Sequence, residues 1–196
     1  MPDPKRLSPL RQHWIGVVPA RIRSDSVSIE EVPFVGRILL QTDGGDRAAL
    51  NAIGQELGFP LPRMPNTSVR KNTLCLWLSP SSWMFVTGED EKAALLENLK
   101  RGAKDLDASI TDISDSHTTI RLGGAKIQEV LAKGCFLNLT LKAFEPRMVV
   151  RTLIADVPVI MFHEESGAFV DIHVGGFDAD YLWTWLIEAA REFTAE

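Results

Sequence analysis

His163, Asp171 and His173 are the side chains that most invite chemistry, because two imidazoles and a carboxylate close in sequence are the donor types that hold a divalent cation. Strand-forming runs at residues 157–162 and 168–174 flank a turn at 164–167, so the chain there reads as a hairpin. Pairing about that turn sets His163 opposite Ala168 and His173 opposite Pro158, at opposite ends of the ladder. At ~3.3 Å per residue the two imidazoles are then too far apart to share an ion, and no metal site is expected. Asp171 and His173 remain a same-face pair, expected at an exposed surface.

Ser114, Asp115, Ser116 and His117 contain the residue types of a hydrolytic triad. Triad members converge from separate segments, so four sequence neighbours read instead as turn chemistry, with Asp and Ser bonding to the backbone. Beyond that turn, His117, Thr119 and Arg121 share one strand face by period-two alternation, opposite Thr118, Ile120 and Leu122. The polar face is expected to be solvated or to contact another subunit. Gly123-Gly124 follows, where free N–H groups could meet a phosphate or the missing side chains could let strand and helix pack closely. Neither GxGxxG nor GxxxxGK[ST] occurs, so a flavin or nucleotide held by this chain alone is not expected. Cys75 and Cys135 are far apart with no CxxC and no nearby His, which fits reduced, buried thiols. The residues alone therefore nominate no catalytic group.

The elements that must position these side chains follow from patterning. A chain of 196 residues with 45% hydrophobic and 24% charged content is an ordinary globular protein. Its formal charge of −5 and lack of a basic run argue against nucleic acid and anionic membranes as partners. No window approaches the ~20 apolar residues of a membrane span and the N-terminus lacks a secretory core, so a cytoplasmic location is expected. Residues 1–30, rich in proline, read as an arm. A strand is expected over 34–41 and a helix from its Asp46 cap to Leu57, stopped by Gly58. Two apolar runs at 74–78 and 83–86 around a Ser/Pro turn predict a hairpin with both faces covered. Helices are expected over 89–99, after Gly124 up to Gly134, and over 178–193, with strands at 148–155, 157–162 and 168–174. The last helix has a polar stripe of Asp180, Thr184, Glu188 and Arg191 and is otherwise apolar. Either it is sandwiched inside the fold, or Trp183 and Ile187 face another chain.

This order is α+β: two ferredoxin-like βαββαβ-type halves, mostly antiparallel sheets with helices packed on one face. The halves are expected at 31–115 and 116–196, forming one compact unit after the arm.

Several segments are similar to the γ subunit of heterotetrameric sarcosine oxidase. They are VSIEEVPFVGRILLQ at 27–41, LWLSPSSW at 76–83, residues 112–139, RTLIADVPVI at 151–160 and FDADYLWTWLIEAAREF at 177–193. The pairing of Lys133-Gly134-Cys135-x-Leu137-x-Leu139 with the Tyr181-Leu182-Trp183-x-Trp185-Leu186 helix is specific. The resemblance implies a fold like the folate-binding domains of glycine-cleavage T-protein. It also implies a non-catalytic subunit in a complex that demethylates sarcosine to glycine and passes the one-carbon unit to tetrahydrofolate. Partner α, β and δ subunits would carry FAD, FMN, NAD, the tetrahydrofolate site and zinc, and this chain alone would bind none of them. Trp183, Ile187, His117 and Arg121 are the candidate subunit-interface residues, and the isolated chain could self-associate through such a patch. The alternative is a stand-alone folate-binding protein related to the aminomethyltransferases.

Overall fold

A computed structural model describes residues 7–16, 20–140 and 142–194. Residues 1–6 and 17–19, part of the expected arm, lie outside the described residues. Two antiparallel sheets face each other, each with helices on its outer side. The first sheet is built from β3 (Gly36–Thr42), β4 (Ser68–Arg70), β5 (Leu74–Ser79), β6 (Ser82–Thr87) and β7 (Ala108–Asp112) in the order β4-β5-β6-β3-β7. Helices α1 (Arg47–Leu57) and α2 (Lys92–Gly102) lie on it. Without the short β4, this order is that of a βαββαβ unit whose first strand is flanked by its third and fourth.

The second sheet contains β1 (Arg21–Arg23), β2 (Ser28–Val32), β8 (His117–Gly123), β9 (Val149–Ile154), β10 (Val157–His163) and β11 (Phe169–Gly175), ordered β1-β2-β8-β11-β10-β9. Helices α3 (Ile127–Ala132) and α4 (Ala179–Ala190) cover it. Taking β8, β10 and β11 as the first three strands gives the same arrangement as in the first half, with β2 as the fourth. The strand that would follow α4 in a regular copy is thus supplied from the start of the chain, across the boundary at residue 30 between the expected arm and the expected first half. Strand propensity in Ser28–Val32 has its effect only because β8 offers an unpaired edge, with Ile29 opposite Leu122 and Glu31 opposite Ile120.

Local chemistry explains most boundaries. Asp46 caps α1 by accepting from the Ala48 and Ala49 amides at 2.9 and 3.0 Å, and Gly58 ends it at φ 75°. Helix α2 begins three residues later than the pattern predicts. The Glu91 carboxylate accepts from Thr87 Oγ1 at 2.9 Å and the Gly88 amide at 3.3 Å, which holds 88–91 in a turn before the helix.

The β10–β11 register differs by two residues from the sequence expectation, since His163 pairs with Val170 and His173 with Ile160. The reason is a wider loop. Glu164 N donates to Phe169 O, and Gly167, at φ 72°, donates to Glu164 O, so 164–168 is all connection. The corrected register places His163 and His173 on opposite faces of the sheet.

Three apolar clusters fill the layers. Ile38, Leu40, Trp83 and Phe85 meet Leu50, Ile53, Leu95 and Leu99 under α1 and α2. Ile120, Leu122, Met161 and Ile172 meet Val130, Leu182, Trp183 and Leu186 under α3 and α4. Leu74, Leu76 and Met84 meet Val149 and Phe162 between the sheets. That third cluster is why β5 and β6 carry no polar alternation: both of their faces are covered.

Candidate functional site

The space between the sheets is apolar at one end and polar at the other, and the polar end is the candidate site. Arg37 on β3 is fully buried. Its backbone amide donates to Ser114 Oγ at 2.9 Å, and Nη1 reaches the Val35 and His117 carbonyls at 3.0 and 3.2 Å. Nη2 donates to Thr119 Oγ1. Thr119 in turn lies 2.9 Å from His173 Nδ1. Arg37 takes up one lone pair of the threonine oxygen and leaves the hydroxyl proton free to go to Nδ1, an arrangement in which the imidazole hydrogen sits on Nε2. His173 is 2% exposed, and its Nε2 has no hydrogen-bond partner among the described residues. Burial, then the nearby Arg37, His117 and Arg121 charges, hold the imidazole well below its usual pKa, so it is neutral.

Beside it, Arg121 Nε and Nη2 donate to the two Asp171 oxygens at 2.7 and 2.9 Å, a bidentate pair. The hydrogen bonds to Asp171 raise the Arg121 pKa further; burial opposes them and the Asp171 charge adds to them. The guanidinium stacks 3.9 Å from the Phe169 ring centre, which fixes its plane. Together with Arg70 at the edge of the first sheet, these groups border a cavity of about 260 Å³.

The expected exposed Asp171–His173 pair is therefore corrected: Asp171 is 6% and His173 2% exposed. The face carrying His117, Thr119 and Arg121 is not a solvated one either, because the first sheet packs over it. The signal in the sequence was partial. A hairpin apolar on both sides requires a second layer, but nothing in the alternation says that this layer covers the polar faces of β8 and β11.

The other sequence candidates are spread out. Ser114 Oγ donates to Asp112 at 2.5 Å and Ser116 Oγ lies 2.8 Å from His117 Nδ1, so the Ser-Asp-Ser-His run is bonded locally as a turn. Gly124, at φ 103°, lies so close to the chain before β2 that an added Cβ would sit 2.4 Å from the Ser26 carbonyl oxygen, which supports the close-packing reading of the glycine pair. His163 points into the helical layer, where Nδ1 lies 2.8 Å from the Phe144 carbonyl oxygen. Among the described residues, no group of three or more His, Cys, Asp or Glu side chains is placed to hold a metal ion.

Of the four interface candidates, Trp183 is 4% exposed within the α3/α4 core. Its cover is the chain's own N-terminal segment. The His13 ring centre lies 6.0 Å away, and His13 and Gln12 bond the Asp180 carboxylate at 2.6 and 2.5 Å. Ile187 is partly buried against the same core. His117 and Arg121 are half-buried between the sheets. These four residues do not form one patch.

The sarcosine oxidase, gamma subunit family model matches residues 41–192. The sarcosine oxidase gamma subunit of Corynebacterium sp. (strain P-1) is 26% identical over 178 residues, covering 87% of this chain and 83% of that protein. The corresponding subunit of Arthrobacter sp. is 25% identical over 173 residues, covering 87% and 83%. In fold, the chain is similar to one in the heterotetrameric sarcosine oxidase from Corynebacterium sp. U-96 in complex with pyrrole 2-carboxylate, with a TM-score of 0.86, 23% identity and 97% of each chain covered. It is also similar to the glycine cleavage system aminomethyltransferase T from Bartonella henselae, with a TM-score of 0.59, 12% identity, and 80% of this chain and 44% of that one covered. With three quarters of its length matched by one family and the doubled ferredoxin-like fold shared with the sarcosine oxidase chain, this chain belongs to the sarcosine oxidase, gamma subunit family.

Proposed function

We propose that this chain is a non-catalytic subunit of a cytoplasmic sarcosine oxidase, supporting the oxidative demethylation of sarcosine to glycine with one-carbon transfer to tetrahydrofolate. The observation that carries this reading is the family match over 41–192. In this proposal α, β and δ partner subunits hold FAD, FMN, NAD, tetrahydrofolate and zinc. The halves at 31–115 and 116–196 act as one unit, tied by β2 and the inter-sheet core.

Contact with the partners falls to surface that costs free energy when wet. Phe136 is 98% and Leu153 45% exposed, and both lie at the β9 edge of the second sheet. Backbone and side chain join the two segments there: Ala155 N donates to Gly134 O at 3.0 Å, and Cys135 Sγ lies 3.8 Å from Thr152 Oγ1. Apolar side chains beside an unpaired strand edge suit a large, obligate interface. Of the residues first considered, Ile187, His117 and Arg121 retain accessible atoms for such contact, whereas Trp183 would act only through the core.

The test is co-purification of the tagged chain from cells that also produce its partners, read by bound flavin absorbance and sarcosine-dependent peroxide. The double substitution Phe136→Glu with Leu153→Glu should remove both while leaving the unfolding transition of the isolated chain unchanged. Retention of yellow partners by that variant would reject this edge as the interface. A colourless, inactive eluate from the unaltered chain would reject the subunit reading in favour of a stand-alone folate-binding protein.

A further inference from the structure

The cavity between the sheets has a chemistry that the packing of the fold does not use. Thr87, Thr119, Asp171 and His173 are its buried polar lining, and His173 Nε2, which carries the imidazole hydrogen when Thr119 donates to Nδ1, meets no partner among the described residues. A buried donor left unpaired forfeits its hydration without replacement, which destabilises the fold. A fold tolerates that where something else supplies the acceptor, as a ligand can.

The groups around it define what that acceptor is. Arg121 and Arg70 border the cavity with Asp171, whose carboxylate is taken up by Arg121. Glu30 and Glu164 also act on Arg121, and both are partly solvent-exposed. Arg121 is immobilised by its bidentate pair and by Phe169, and Arg70 is steadied over the Phe162 ring at 5.6 Å. Guanidinium groups held in this way recognise planar oxyanions. Val32, Val35, Leu74 and Val86 add apolar surface to the lining. A volume of about 260 Å³ lies just below the ~300–1,000 Å³ range of most ligand pockets, which suits a small metabolite.

We propose that the cleft at His173, Arg121 and Arg70 is a binding site for a small monocarboxylate, its oxygens on the His173 Nε2–H and the arginines and its short apolar body against Val32, Leu74 and Val86. The guanidinium donors suit a carboxylate group, and the apolar side chains suit a carbon substituent better than the fourth oxygen of a phosphate. This site is argued from the chain's own residues and does not rest on the assembly reading.

The experiment is a titration of the full-length chain, labelled with ¹⁵N-histidine, using sodium isobutyrate as the probe. Sodium chloride and sodium phosphate at matched ionic strength run alongside. The expected result is a saturable shift of the His173 Nε2–H resonance with isobutyrate, and only a weak, non-saturating change with chloride. Arg70→Gln, an exposed position whose loss leaves the cores intact, should weaken isobutyrate binding about tenfold, as removal of one charge-assisted hydrogen bond does. His173→Gln tests the donor directly and should retain part of the affinity. Three results would each overturn the proposal: an isobutyrate response no different from chloride, tighter binding of phosphate than of isobutyrate, or unchanged isobutyrate affinity in Arg70→Gln. Loss of partner co-purification would leave this outcome unaffected, so failures of the two readings are distinguishable.

Discussion

Replacing Glu31 by leucine should release the N-terminal segment from the body of the protein. Glu31 is 4% exposed and accepts from Trp14 Nε1 at 2.5 Å, from Thr118 Oγ1 at 2.8 Å and from Ser8 Oγ. Leucine matches its bulk but offers no acceptor, so three donors lose their partner at once. At about 1 kcal/mol net for each, the cost is about 3 kcal/mol, corresponding to a fall in melting temperature of roughly 6–12 °C for a chain of this size. Glutamine is the milder control. Its carbonyl can serve the fixed indole N–H while the two hydroxyls rotate to accept from its amide, so the loss should be on the order of 1 kcal/mol. Urea unfolding measures the stability, and trypsin cleavage after Arg11 reports whether residues 8–14 have left the surface. Combining Glu31→Leu with Trp14→Phe completes a cycle: phenylalanine has no N–H, so the cost of losing Glu31 should drop by about 1 kcal/mol in that background. A Glu31→Leu protein with wild-type unfolding midpoint and unchanged trypsin resistance would refute the idea that this carboxylate pins the segment, as would a cost independent of residue 14.

Gly124→Ala, with its Cβ 2.4 Å from Ser26 O at φ 103°, should cost on the order of 3 kcal/mol, whereas Gly58→Ala, at φ 75° with nothing within 4 Å, should cost only ~1; thermal melts of the two side by side check the difference. Trp183→Ala should destabilise the isolated chain by about 3–5 kcal/mol in urea, because the indole is core; a loss of partner binding with unchanged stability would contradict its burial. Stability should also fall in acid. His173, and to a lesser degree His117, are held by burial below the ordinary value of 6.5, so the unfolded chain takes up protons first as pH drops. Their contribution is intact above about pH 6.5 and is lost below it. Urea midpoints measured from pH 8 to 5 should stay level and then decline, and His173→Gln should flatten the decline.

Local order was legible without coordinates wherever short-range chemistry decides it. The Asp46 cap and Gly58 stop, the apolar β5–β6 hairpin and the three-strand run from β9 to β11 all follow from neighbouring residues. Strand phase likewise assigned Thr119 and Arg121, and Asp171 and His173, to common faces. The residue pattern also identified α4 as too apolar for an ordinary surface helix, which is a statement about area needing cover and not about what provides it.

What covers each face is a long-range matter, and only the tertiary structure decided it. Period-two alternation states which side chains share a face but not whether water or another sheet lies opposite, so the polar faces of β8 and β11 looked exposed although the first sheet closes over them. In the same way, Ser28–Val32 carries strand propensity but nothing local indicates that its partner is β8, nearly ninety positions on. Trp183 was open to a partner chain or to the core until residues 8–14 were seen lying over it, held by Glu31 and Asp180. Hydrogen-bond geometry and register were settled last, because two more residues between paired positions move an entire ladder at almost no local cost.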